Sequence, residues 1–163
     1  ITAVIGKEEI MHSAQTTFIS STFWTERIGP AAAIATLNVM KKEQSWDKIT
    51  QLGIYAKESF KKLAKNCNLE IIQNGIPSLG GYVFKSKKNQ KYKTYISQEM
   101  LKKGYLATNG IYFSTCHTKE IFDTYIDNLK PIFKIIAECE NADKDIDSLL
   151  DGPVCQSGFK RLN

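Results

Sequence analysis

Ser20, Ser21 and Thr22 bring three hydroxyl groups together just before an alanine-rich stretch that opens with Gly29–Pro30. Proline at the first position of a helix has its φ already set and gives up an N–H that would lack a partner there, and alanine is the best helix former. The sequence therefore predicts a polar loop that leads into a helix from Pro30 to Lys42. Hydroxyls and unpaired N–H groups converge near the positive end of a helix, so the loop is a candidate anion-binding site. A plain N-capped helix is the more common alternative.

Few other residues could do chemistry. The chain has no glycine-rich phosphate loop and no HExxH motif. The residues around His12 and His117 do not have the spacing of metal ligands. Cys116 and His117 are adjacent, so a small independent enzyme with this reactive pair is one hypothesis. A histidine just before a helix more often belongs to its cap or its packing, and a single cysteine is more often a small buried hydrophobe.

Length and composition favour one domain, or one domain with an extension, in a chain of 163 residues. Apolar residues make up 42% and charged residues 24%, and no apolar run approaches the roughly 18 residues that a membrane span needs. The four cysteines lie far apart, which fits reduced thiols in a cytoplasm. The net charge is +5, but only Arg27 and Arg161 are arginines, which argues against a dedicated nucleic-acid binder.

Hydrophobic periodicity predicts the order strand, long helices, strand, strand, helix, strand, helix. The apolar residues Ile1–Ile5 predict a buried strand, and Ser45 is expected to cap a helix that runs to about Asn66. Short strands are predicted at Leu69–Gln73, which a turn at Asn74–Gly75 should end, at Tyr82–Lys85 and at Ile111–Ser114. Three short strands with helices packed on one face make a two-layer α/β unit.

The later helices carry clear end signals. Thr94–Lys103 is predicted to be helical, with Gly104 just beyond its end. Thr118 can cap a long final helix, and Pro131 inside that helix predicts a kink or a break. The lysine-rich run Lys85–Lys93 is expected to be a solvated connection.

Three segments resemble class III pyridoxal-phosphate aminotransferases. STFWTERIGPAAAIATL is similar to the segment in which a Ser/Gly-Thr-aromatic motif precedes an N/G-P-A helix. ITAVIGKEEIM resembles the stretch just after the Schiff-base lysine, and LATNGIYFSTCHTKEIFDTYIDNL resembles the closing small-domain segment with its A-H-T helix cap. The three span nearly the whole chain in the family's order. Within this family, the segments most resemble those of glutamate-1-semialdehyde aminomutase-like proteins.

The resemblance implies the C-terminal part of a fold-type I, pyridoxal-phosphate-dependent homodimer. Residues 1–29 would end the large cofactor-binding domain, and 30–163 would form a long linking helix and the small domain. The family's equivalent of Thr22 donates its hydroxyl and its backbone N–H to the cofactor phosphate of the neighbouring subunit. Ser21 and Phe23 would line that site, and Tyr112 and Ser114 would face the substrate.

The resemblance also sets limits. It implies that the catalytic lysine lies upstream of Ile1, so this chain alone should be inactive. The stretch between Ile111 and His117 is shorter than in the aminomutases proper, so ordinary transfer between a small-molecule amino donor and a carbonyl acceptor is expected, with no nucleic-acid or membrane partner. The alternative is a stand-alone α/β interaction domain that binds an acidic partner through Lys87–Lys93.

Overall fold

The structure is a computed structural model that describes residues 2, 4–18, 22–23 and 26–158. Its contacts divide the chain into two compact units, Ile1–Ser45 and Trp46–Asn163. The domain boundary expected after residue 29 stays a prediction.

The N-terminal unit consists of helices and connecting segments in its described part. Helix α1 spans Glu8–Met11, a 3-10 helix follows at His12–Thr16, and α2 spans Ile28–Glu43. The strand predicted at Ile1–Ile5 is wrong for the residues described there, because Val4 and Ile5 are not in a strand and are 75% and 91% exposed. A strand forms only where a neighbouring strand takes its hydrogen bonds, which local β propensity cannot supply.

Helix α2 begins two residues earlier than Pro30, which is its third residue rather than its first. Gln44 ends the helix in the left-handed conformation, with its N–H donating to the Met40 carbonyl. Helix α3 spans Ser45–Asn66, so it ends where predicted and begins at Ser45 itself rather than after it. The capping role expected for Ser45 is wrong, since its buried Oγ has no hydrogen-bond partner among the described residues.

Three antiparallel strands form the sheet of the C-terminal unit, in the order β1-β2-β3. They are β1, Ile71–Ile76; β2, Leu79–Phe84; and β3, Gly110–Tyr112. Ile76 pairs with Leu79, so the β1–β2 turn is Pro77–Ser78 rather than Asn74–Gly75. Gly75 lies inside β1 with φ of +70°, and a Cβ there would lie 2.1 Å from the Leu79 carbonyl oxygen, which explains the glycine without a turn.

Helix α4 spans Asn89–Lys102 and begins five residues before the predicted start, so the second half of the lysine-rich run is helical. Asn89 Oδ1 accepts the Phe84 N–H at 2.8 Å and joins the end of β2 to the start of α4. Gly104 follows the helix with φ of +84°, as predicted.

Helix α5, Lys119–Glu140, has the predicted cap, because Thr118 Oγ1 accepts the Ile121 N–H at 3.3 Å. The helix continues through Pro131, so the break considered from the sequence is absent. Buried residues lie on both sides of the proline, and this packing offsets the lost hydrogen bond. A 3-10 helix at Ile146–Leu149 follows, with Asp145 accepting the Asp147 N–H.

Aromatic packing on one face of the sheet forms the core of the C-terminal unit. Tyr82 on β2 contacts Phe60 of α3, with ring centroids 4.7 Å apart. Phe84 contacts Tyr92 of α4 at 5.5 Å and Phe133 of α5 at 5.3 Å. Three helices therefore cover the same face of β2, and the predicted two-layer α/β architecture is confirmed.

Candidate functional site

The loop before α2 places two of the predicted cofactor-binding residues in a turn. Thr22 and Phe23 are both exposed, and the Glu26 N–H donates to the Phe23 carbonyl at 3.3 Å. Thr22 makes no side-chain hydrogen bond to another described residue, so its hydroxyl is open to a ligand. Ser21, the third predicted residue, lies outside the described residues.

Glu26 caps the start of α2 and changes the prediction for this loop. Its carboxylate accepts the Ile28 N–H at 2.6 Å and the Gly29 N–H at 2.9 Å. Pro30 has no N–H to offer, and the Ala31 N–H donates to the Arg27 carbonyl. The chain's own carboxylate therefore satisfies the positive end of α2. An anion bound in this loop would therefore have to use the hydroxyl and N–H groups before Glu26.

Tyr112 and Ser114, the predicted substrate-facing residues, lie at and beyond the end of β3. Tyr112 is the last residue of the strand, pairs with Leu79 and is 78% exposed. Ser114 was predicted to lie in the strand, but it is two residues past its end. Thr22 and Phe23 belong to the N-terminal unit, whereas Tyr112 and Ser114 belong to the C-terminal unit.

Ser114 holds the ring of His117, a residue that the sequence assigned to a cap or to packing, with a reactive pair beside Cys116 as the alternative. The Ser114 N–H donates to His117 Nδ1 at 3.0 Å, and Ser114 Oγ lies 3.4 Å from the same nitrogen. The imidazole also contacts Phe113 edge-on, with ring centroids 6.0 Å apart. The partner is a backbone group three residues earlier, so residue types alone could not have shown this geometry.

The Cys116–His117 hypothesis gains no support from this geometry. Cys116 is exposed, and the imidazole nitrogen that a base would use, Nδ1, already accepts the Ser114 N–H. No hydrogen bond links the thiol to the imidazole among the described residues. A nucleophile and its base must be within hydrogen-bond reach of each other.

Several lysines of the lysine-rich run Lys85–Lys93 already pair with acceptors elsewhere in this chain. Lys85 pairs with Glu70 at 2.8 Å, and Lys91 pairs with Asp147 at 2.5 Å. Lys88 Nζ donates to the Cys139 carbonyl at 2.7 Å. The hydrogen bond from Lys85 lowers the pKa of the Glu70 carboxyl. Three of the five lysines thus already have acceptors, which leaves Lys87 and Lys93 for a partner.

The described part of the chain shows neither a metal-binding cluster nor a helix that could span a membrane. It contains no group of three or more His, Cys, Asp or Glu side chains that could hold a metal ion. No helix in it is both long enough and apolar enough to cross a membrane.

No family model and no curated protein matches the chain. Among solved structures, the chain is similar to the FumI protein of Sphingopyxis sp. MTA144, whose structure is of its pyridoxal-phosphate internal aldimine form. The two agree with a TM-score of 0.70 over 90% of this chain, at 17% sequence identity. The match covers 36% of the FumI chain, so this chain spans about a third of its neighbour's length.

The similarity shows that this chain has the fold of part of a pyridoxal-phosphate protein. It agrees with the fold class predicted from the sequence, and pyridoxal phosphate is the group bound in the FumI structure. At 17% identity, the similarity does not assign the chain to the class III family or to the aminomutase-like subgroup.

Proposed function

We propose that this chain is part of a pyridoxal-phosphate-dependent aminotransferase that moves an amino group between a small-molecule amino donor and a carbonyl acceptor. The fold match over 90% of the chain is the observation that carries the proposal. The order of the three class III-like segments refines it toward the aminomutase-like subgroup. A homodimer and a cytoplasmic location complete the proposal, the latter because all four cysteines are free.

The loop before α2 fits a phosphate in the chemistry of its donors. Thr22 offers an exposed hydroxyl and a backbone N–H, and both donate to anionic oxygens. Glu26 occupies the first amides of α2 and would repel a second anion from that helix end. The phosphate would therefore bind at Thr22 and the residues beside it, with Ser21 and Phe23 along the same site.

The residues of this chain would hold the cofactor phosphate and orient the substrate, while the cofactor would supply the reactive group. Pyridoxal phosphate, when bound, provides the electron-withdrawing ring on which amino-group transfer depends. Thr22 would hold the phosphate bound to the neighbouring subunit, which fixes the ring relative to the substrate. Tyr112, exposed at the end of β3, and Ser114 would form one wall of the substrate pocket.

Replacing Thr22 tests the phosphate role most directly. Thr22→Val keeps the side-chain shape and removes the hydroxyl, so we expect pyridoxal phosphate to bind the full-length enzyme roughly tenfold more weakly. Binding is measured by titration calorimetry and by the visible absorbance of the bound cofactor.

Two variants control this experiment. Thr22→Ser keeps the hydroxyl and should retain most of the affinity. Thr17→Val removes a hydroxyl that donates to the Ala14 carbonyl, outside the loop, and should leave affinity unchanged. Cofactor binding that is indifferent to Thr22→Val would contradict the site but not the enzyme class. A full-length protein that binds no pyridoxal phosphate would overturn the proposal.

The lysine-rich interaction surface remains the second candidate. Its support is weaker, because only Lys87 and Lys93 in the run make no hydrogen bond or ion pair with another described residue. Binding to heparin that falls steeply with salt would favour it, and a flat salt dependence would remove it.

A further inference from the structure

A pocket of about 590 Å³ lies within the C-terminal unit, between α5 and the segment that leads into β3. One wall is the chain from Gly104 to Phe113, and the other is the first half of α5. This volume is in the range of small-molecule sites. Its lining includes Leu106, Tyr112, Phe113, His117, Phe122 and Tyr125.

Packed aromatic rings form the inner wall of this pocket. Phe122 and Tyr125 are buried, with only 4% and 7% of their surface exposed. Phe122 contacts Phe113 at 5.9 Å, and Tyr125 contacts Tyr105 at 5.6 Å, both edge-on. These spacings are typical of favourable aromatic pairs, so the neighbours hold the rings in place and the wall is formed before any ligand arrives.

The rim of the pocket is apolar and open to solvent. Leu106 is 98% exposed, Tyr112 is 78% exposed and Ile121 is 50% exposed. The residues that line the pocket include no aspartate, glutamate, lysine or arginine. A ligand with an apolar body would cover this surface and gain from its burial, whereas an ammonium group would find no counter-ion in the lining.

His117 supplies a hydrogen-bond donor in this apolar lining. Its Nδ1 accepts the Ser114 N–H at 3.0 Å, so the neutral ring carries its proton on Nε2. The edge-on contact with Phe113 restricts the orientation of the ring. Nε2–H is the donor that the imidazole retains for a ligand.

We propose that this pocket binds a molecule with an apolar body and a carbonyl or carboxylate oxygen that accepts the His117 Nε2–H. The inference rests on the proposed function in that Tyr112, the predicted substrate wall, stands at the pocket rim. It narrows the substrate class to apolar molecules with such an oxygen, and it assigns Ser114 a positioning role through His117.

A matched pair of probes tests the proposal on the full-length protein. 2-Naphthylacetate and 2-(2-naphthyl)ethylamine have the same ring system and opposite head-group charge, and calorimetry gives both affinities. We expect the carboxylate to bind more tightly. His117→Phe should weaken its binding about tenfold and leave the amine unchanged, since only the donor is lost.

Two further variants keep the test decisive. His12→Phe replaces the chain's other histidine, in the N-terminal unit, and should change neither affinity. Leu106→Glu alters a side chain that is 98% exposed, so folding should be unaffected even if His117→Phe misfolds. The added carboxylate at the rim should reverse the preference toward the amine.

Equal binding of the two probes by the wild type, or unchanged binding of the carboxylate in both His117→Phe and Leu106→Glu, would overturn the proposal. Failure of the proposed function is a separate result. In that case the carboxylate probe binds and pyridoxal phosphate does not. If the cofactor binds and neither probe does, the pocket assignment fails and the enzyme class stands.

Discussion

At the scale of single residues, two small features set local contacts within the chain. They are the carboxylate of Glu26, at the start of α2, and the absence of a side chain at Gly53, in α3. Glu26 closes the start of α2 from within the chain. Gly53 is buried in α3, where a Cβ would lie 1.9 Å from the Pro77 carbonyl oxygen. The tip of the β1–β2 hairpin therefore packs directly on the helix backbone.

Gly53→Ala should destabilise the protein although alanine is the better helix former. The gain in helix propensity is about 1 kcal/mol, but the new methyl must displace backbone atoms of Pro77, which we expect to cost more, for a net loss of about 1–2 kcal/mol. Urea unfolding measures the change. Gln51→Ala, at an exposed position of the same helix, should be neutral or slightly stabilising. A Gly53→Ala protein as stable as the wild type would show that the hairpin does not pack there.

The same contact explains why the sequence predicted the wrong turn. Asn74–Gly75 is a strong local turn signal, but local signals contain no information about which part of a hairpin rests on a distant helix. The fit of Pro77 over Gly53 is a tertiary contact. In the same way, the hydroxyl-rich loop indicated a candidate anion site, but the capping of α2 by Glu26 depends on side-chain geometry that residue types do not determine.

At the scale of elements, long amphipathic patterns were predicted well. The end of α3 and the cap of α5 are confirmed, because the first depends on helical periodicity and the second on a side chain three residues from the N–H that it accepts. The strands were less well placed, and Ile1–Ile5 was wrong for its described residues, since strand formation depends on a partner. Pro131 is the opposite case, in which packing along α5 overcomes a local breaker.

Pro131→Ala should stabilise α5. Pro131 is exposed, so the substitution removes no core side chain, and alanine restores an N–H that can donate to the Asp127 carbonyl. We expect a gain of about 1–2 kcal/mol after allowing for the freer unfolded chain. Thermal unfolding with Lys134→Ala, an exposed change on the same helix, as control measures it. A lower melting temperature for Pro131→Ala would show that α5 depends on a bend at the proline.

At the scale of the whole molecule, buried tyrosines link stability to pH. Four of the seven, Tyr82, Tyr92, Tyr95 and Tyr125, are buried, and burial raises the pKa of each phenol above its usual value of 10.0. In the unfolded chain these phenols lose protons near that value, while in the folded protein they keep them. The folded state therefore holds more protons, and stability must fall as pH rises above 10.

We expect the urea midpoint to be lower at pH 11 than at pH 9. The ion pairs at Lys85 and Lys102 act in the same direction, because the hydrogen bonds that both ammonium groups donate to their carboxylate partners raise the pKa of these lysines. Phenolate absorbance near 295 nm should complete its rise only as the far-ultraviolet circular dichroism is lost. Full ionisation of the tyrosines in a protein that keeps its dichroism would contradict this account.

The distribution of the four thiols has a practical consequence for labelling. Cys139 is buried, Cys67 and Cys155 are partly covered, and Cys116 is exposed beside His117. Burial raises the pKa of the Cys67 and Cys139 thiols, which lowers the thiolate fraction that attacks a maleimide. A fluorophore added at limiting reagent will therefore attach first at Cys116, one residue from the pocket. Without any engineered cysteine, the chain carries its own attachment point for an optical sensor of ligand entry.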